Sequence, residues 1–211
     1  MGTRTQRRAR ATEQSIVEAA RDLLAAGGGA AVTLEAVASR ADVAVQTVYN
    51  RVGGRNAVLM AVARHALDTN RQYLDAPYAS SGTVAERLRR VAEAYAHFAL
   101  ERPAEFQLLA FPPAGVPDAD AERIVALVRE QNGKLARLVA EGVADGTLDP
   151  ELDPEVTATA LWRMWDGVLS LASRPDDLQL PPERMPALLL TAGRLMQTGL
   201  LRRPPEGPAA L

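Results

Sequence analysis

Gln46 and Asn50 stand one helical turn apart in the run Val45-Gln46-Thr47-Val48-Tyr49-Asn50-Arg51, which carries no acidic residue. Each primary amide offers a donor and an acceptor that can pair bidentately with an adenine edge, and the methyl groups of Val45 and Thr47 suit the thymine methyl. Base reading of this kind requires the run to be the second helix of a helix-turn-helix, with its N-terminal end in the major groove. Close crossing of the two helices then needs a small residue on the first, a turn residue that tolerates a left-handed conformation, and an apolar wedge on the second. Counting from Leu34, those positions hold Ala38, Asp42 and Val48. The exposed face left over is Val45, Gln46, Thr47, Asn50 and Arg51.

Other chemistries find little support. The chain has no cysteine, which excludes a disulfide scaffold, a thiolate zinc site and a cysteine nucleophile. Its two histidines, His65 and His97, lack acidic or thiol partners at ligand spacing, and no nucleophile elbow, phosphate loop or metal cluster is present. No enzyme and no cofactor are therefore expected. An apolar run of membrane-spanning length is missing, and the basic N-terminus leads into Ala-Thr-Glu-Gln rather than a signal-like apolar segment, so a cytoplasmic, nucleoid-associated protein is expected.

The elements that must position the reading face lie in a distinct part of the chain. The formal charge of -2 averages residues 1–71, with ten arginines against six acids, and residues 72–211, with fourteen basic side chains against twenty acids. All fourteen prolines fall at Pro77 or later. These signals predict a basic flexible arm over 1–11, a DNA-binding unit over 12–71, a second domain over 72–203 and a frayed tail over 204–211. Helical periodicity dominates and strand alternation is absent, so the fold class is all-α with about nine helices. The first helix is predicted to start after Thr12 and stop at Gly27-Gly28-Gly29; Thr33 caps the next. A helix from Arg55 should end near Tyr73, Thr83 and Glu86 form a capping box, and Asp153-Pro154 opens a helix reaching Ser173.

The runs Val32-Thr33-Leu34-Glu35-Ala36-Val37-Ala38, Val43 to Val52 and Arg55-Asn56-Ala57-Val58-Leu59 resemble the N-terminal DNA-binding domain of the TetR family of transcriptional regulators. The resemblance covers residues 12 to about 70. It implies an all-helical homodimer with a small-molecule pocket in the C-terminal domain, and it places Thr33, Tyr49, Arg51 and Arg55 at positions that clamp phosphates. The family usually has Gly where Asp42 stands, Ser where Ala44 stands, Lys where Arg55 stands and an aromatic at Val52. A second likeness, carried by Tyr95 to Pro103, Phe106 to Leu109 and Leu161 to Leu171, is to the C-terminal subclass named for a Trp-His-Gly motif, with Asp166 in the histidine's place.

Within the C-terminal part, Tyr95, Phe98, Phe106, Trp162, Trp165 and Asp166 are the candidates for a pocket taking a small, largely apolar ligand. A carboxylate at Asp166, amid apolar neighbours, needs a partner: Arg163, Arg137, another protein group or a cationic ligand. Val168, Leu171, Leu188, Leu195 and Met196 are expected to form a four-helix dimer seam. The leading expectation is a repressor that binds a pseudo-palindromic operator as a dimer and leaves it when a small molecule binds. The alternatives are a DNA-binding dimer governed by a protein partner and an all-helical enzyme.

Overall fold

Among the residues described by the computed structural model, which are 3–111, 118–174 and 176–201, the chain forms nine α-helices and no strand. They are α1 (Arg4–Ala31), α2 (Leu34–Arg40), α3 (Val45–Arg51), α4 (Arg55–Ala79), α5 (Val84–Glu101), α6 (Pro103–Ala110), α7 (Asp118–Asp145), α8 (Pro154–Ser170) and α9 (Met185–Leu200), the last preceded by a short 3₁₀ turn at Pro182–Arg184. The tail expected over 204–211 lies outside the described residues. The chain divides into two compact units, residues 1–72 with 98–128, and residues 73–97 with 129–211. The first unit thus contains α6 as well as α1 to α3, so its limits differ from the contiguous 12–71 expected from charge and proline.

Several local signals act where they were expected. Thr33 caps α2 by accepting from the Ala36 amide, and Asp153 caps α8 by accepting from those of Glu155 and Val156. Thr83 and Glu86 exchange the two bonds of a capping box. Four boundaries differ. The arm is helical from Arg4, because Thr3 and Gln6 form a capping box of their own, with Thr3 N–H donating to Gln6 Oε1 at 2.8 Å. At the triple glycine the helix breaks without ending: Gly27 and Gly28 leave helical geometry, Gly28 with φ of 65°, and the backbone resumes to Ala31. Helix α4 runs six residues beyond Tyr73 and holds Pro77 in its last turn, where the missing N–H interrupts the ladder only near its end. Helix α8 stops at Ser170 rather than Ser173.

The helix-turn-helix packs on a cluster of aliphatic side chains in the first unit. Ile16, Ala20 and Leu24 of α1 pack with Val37 and Ala38 of α2, Val48 of α3, Val58, Leu59 and Val62 of α4, and Leu108 of α6. Helix α6 is also tied to α1 by charge: Arg21 donates through Nε and Nη2 to Glu105 Oε1 at 3.0 and 2.8 Å, and Glu105 is buried. In the second unit, Leu135, Leu138 and Val139 of α7 pack with Leu148, with Ala158 and Leu161 of α8, and with Ala192 and Met196 of α9. Gly142 lets α7 approach the following loop; a Cβ there would lie 2.6 Å from Leu148.

Candidate nucleic-acid interface

The motif closes as its packing demands. Ala38 and Val48 are buried where α2 and α3 cross, and Asp42 takes the left-handed turn with φ of 53°, the only non-glycine residue among those described to do so. Ala44 occupies the N-cap of α3 with extended backbone but supplies no side-chain hydrogen bond, as the replacement of serine implies. The motif is held from outside by Arg40 on Asp22, at 2.7 Å.

Burial sorts the faces of α3. Val48 points inward, whereas Val45 and Tyr49 are large apolar side chains left open, Tyr49 by 59%. Gln46, Asn50 and Arg51 are exposed and Thr47 is half-buried. Val45, Gln46, Tyr49 and Asn50 therefore share the solvent side of one short helix, and Gln46 Nε2 donates to Asn50 Oδ1 at 2.9 Å. Thr33 has its hydroxyl engaged as a cap acceptor, although the residue is exposed. Arg55 behaves differently from a bare surface cation. Its Nε donates to the Val32 carbonyl at 2.8 Å and its Nη2 to the Gly29 carbonyl, so the guanidinium staples the end of α1 to the start of α4.

The ligand candidates separate. Phe98 and Phe106 belong to the first unit and are fully buried there. Tyr95, Trp162, Trp165 and Asp166 fall in the second unit, where Tyr95 on α5 donates its hydroxyl to Asp166 Oδ1 on α8 at 2.6 Å. Arg163 reaches Asp166 Oδ2 at 3.2 Å and lies 4.0 Å from the centre of the Trp162 ring. The carboxylate's partners are thus Tyr95, 71 residues away in sequence, and Arg163; Arg137 is not among them. Burial raises the Asp166 pKa above the usual carboxylate range, with the Tyr95 and Arg163 bonds opposing it. The Tyr95 hydroxyl is pushed well above its ordinary value, first by burial and then by the adjacent carboxylate.

The expected seam also separates. Met196 is buried in its own unit's core and Val168 packs against that core, because both face inward from α9 and α8. Leu171 and Leu188 are half-buried, and Leu195 is 70% exposed. The apolar surface that remains open on these two helices is Val156, Met164, Leu190 and Leu195. Met164 and Val156, eight residues apart on α8, carry a helical periodicity that could have disclosed them from sequence. His97 is exposed, His65 pairs with the Thr69 hydroxyl, and no group of three possible metal ligands occurs among the described residues. Nor is any described helix long and apolar enough to cross a membrane.

Comparison with known proteins bears on both units. Residues 16–62 match the family model described as bacterial regulatory proteins of the tetR family, and residues 81–170 match the tetracyclin repressor-like C-terminal domain. No curated protein sequence matches the chain. Among solved structures, a TetR/AcrR transcriptional regulator from Thermobifida fusca is similar with a TM-score of 0.68 at 22% identity, over 90% of this chain and 98% of that one. The fatty acid degradation regulator FadR from Bacillus halodurans gives 0.69 at 18%, over 89% and 99%. A regulatory protein of the tetR family from Rhodococcus gives 0.73 at 17%, over 92% and 98%. These structures share the fold, the two family models together span more than half of the sequence, and the chain belongs to the TetR family of DNA-binding transcriptional regulators.

Proposed function

We propose that this regulator is a repressor that binds a pseudo-palindromic operator as a homodimer and is released by a small, largely apolar ligand. The observation that carries the reading is the sorting of α3, which buries Val48 and leaves Val45, Gln46, Tyr49 and Asn50 open on one short helix. Gln46 and Asn50 read base edges with Val45 and Thr47 against thymine methyls, while Thr33, Tyr49, Arg51 and the outer nitrogen of Arg55 meet phosphates. A two-fold dimer sets two such helices roughly 34 to 36 Å apart, one DNA turn.

The open apolar residues of α8 and α9, Val156, Met164, Leu190 and Leu195, support a seam closed by a second copy. Tyr95, Trp162, Trp165 and Asp166 form the ligand end, and a ligand that prefers the arrangement unable to bind DNA shifts the population and empties the operator. Membership of a family of DNA-binding regulators decides against the all-helical enzyme.

Selection of bound duplexes from a random library by the purified full chain tests the proposal. The expected product is an inverted repeat with half-site centres about 10 base pairs apart, or a multiple of that spacing. Recovery of unrelated duplexes with no shared half-site would overturn it. A thermal-shift screen of apolar small molecules, repeated with the selected duplex, tests release: a ligand that raises the melting temperature must also lower duplex affinity.

A further inference from the structure

The four arginines of the N-terminal segment do not act alike. Once the segment is helical, at ~100° per residue, Arg4, Thr5, Arg8, Ala9 and Thr12 share one side of α1, while Arg7 and Arg10 lie roughly 140–160° around the helix from Thr12. The shared side lines a cleft of about 570 Å³ whose remaining wall is Arg51, at the end of α3. Arg4, Arg8 and Arg51 have no carboxylate partner among the described residues, whereas Arg40 is paired with Asp22, Arg89 with Glu93 and Arg174 with Asp176. The walls otherwise supply two threonines and an alanine, and the Thr12 hydroxyl already donates to the Arg8 carbonyl at 3.0 Å. Three like charges left facing one opening, with no internal acid to neutralise them, suit an external anion rather than a structural ion pair.

We infer that this cleft is a phosphodiester site for duplex DNA, formed by Arg4 and Arg8 of α1 together with Arg51 of α3, and that Arg7 and Arg10 take no part in it. The inference rests on the DNA-binding reading of α3 and extends it: the helical N-terminal turns fasten a backbone phosphate beside the end of the reading helix. Because the site meets phosphate and not base edges, it adds affinity and register without sequence preference.

The test uses the full chain and a fluorescein-labelled mixed-sequence DNA duplex, with anisotropy titrations across salt. Each protein–phosphate contact contributes about 0.9 to the slope of log affinity against log salt. The triple variant R4A/R8A/R51A should flatten the slope by about 2 for a dimer bearing two clefts, and R4A/R8A by part of that, because the three side chains of each cleft hold one phosphate. R7A/R10A, which removes the same charge as R4A/R8A, should leave the slope near wild type. Equal flattening by the two double variants, or none by either, overturns the cleft while leaving DNA binding intact. Wild-type affinity indifferent to salt would remove the DNA-binding reading itself. Circular dichroism of each variant establishes that α1 remains folded.

Discussion

Replacing Tyr95 by Phe isolates the buried pair in the second unit. Asp166 is 2% exposed, and its oxygens are served by two donors of unequal worth. Arg163 has a side chain 56% exposed, so solvent screens its attraction, and such pairs contribute about 0 to 1 kcal/mol. The Tyr95 hydroxyl is largely withdrawn from water and sits 2.6 Å from Oδ1. A hydrogen bond to a charged group is worth about 1.5 to 3 kcal/mol. Phenylalanine keeps the ring and opens no cavity, so Tyr95→Phe should cost about 2 kcal/mol and Arg163→Gln less than about 1 kcal/mol. Replacing both buried partners by apolar groups can be nearly neutral, so Tyr95→Phe with Asp166→Leu should recover much of the loss, with a coupling of about 1.5 kcal/mol or more.

The pH dependence has a definite sign. A carboxyl whose folded pKa is raised binds its proton more tightly when folded, so its contribution to stability is greatest below the unfolded pKa and declines as pH rises through the folded value. Tyr95 opposes that rise by favouring the carboxylate, so its removal raises the pKa further and deepens the decline. The cost of Tyr95→Phe should therefore be larger at neutral pH than near about pH 4. Urea unfolding followed by tryptophan fluorescence is the assay, since both tryptophans, Trp162 and Trp165, lie in this unit. A loss below about 0.5 kcal/mol, or one equal at both pH values, would refute the assignment of the hydroxyl as the dominant partner.

Three further outcomes follow from local geometry. Ala44→Ser should supply the cap that α3 lacks and stabilise the first unit by about 1 kcal/mol, with slower amide exchange in α3; unchanged exchange would count against it. Arg55→Ala should lose the staple to the Val32 and Gly29 carbonyls and cost about 1 kcal/mol by thermal or urea unfolding, and Arg55→Lys should recover little, because a single ammonium does not reproduce the two-pronged guanidinium; an Ala variant as stable as wild type would refute the staple. Leu195→Glu combined with Leu190→Glu should yield folded monomers in sedimentation velocity, and a persistent dimer would place the seam elsewhere.

Sequence was most informative where the determinant was local. Thr33, Asp42 and Asp153 each act within a few residues of their own backbone, so spacing alone located them, whereas the uncapped Ala44 was marked by the family resemblance. The arm expected to be flexible over 1–11 is instead helical from Arg4, because Thr3 and Gln6 carry a capping signal that charge and proline do not report. Pro77 misled in the opposite direction, since a proline close to a helix end removes little. What no spacing could supply was long-range choice. Tyr95 is as plausible a core aromatic as a partner for Asp166 until α5 meets α8. Apolar composition likewise cannot say which of the adjacent Leu195 and Met196 is buried, because they lie about 100° apart on α9 and only tertiary packing selects the inward side.

The hydrogen bond between the Gln46 and Asn50 amides bears on how this family member would read DNA. If each amide read its own base independently, their direct bond in the free protein would be an obstacle to binding. Its magnitude says otherwise, because an exposed pair at this spacing is worth about 0.2 to 0.5 kcal/mol, against about 1 to 3 kcal/mol for a correct bidentate base contact. On the proposed reading, the bond is weak enough to yield to the right base, yet it keeps both side chains on one exposed face of α3 before binding, which would reduce the ordering cost of docking. Gln46→Ala should therefore weaken discrimination at its own base pair by about 1 to 3 kcal/mol and also loosen that of Asn50. Measured over single-base variants of a selected half-site, Gln46→Ala, Asn50→Ala and the double variant should show non-additive losses. Strict additivity, with each substitution confined to one base pair, would mean that the two amides read separately and that their bond has no part in recognition.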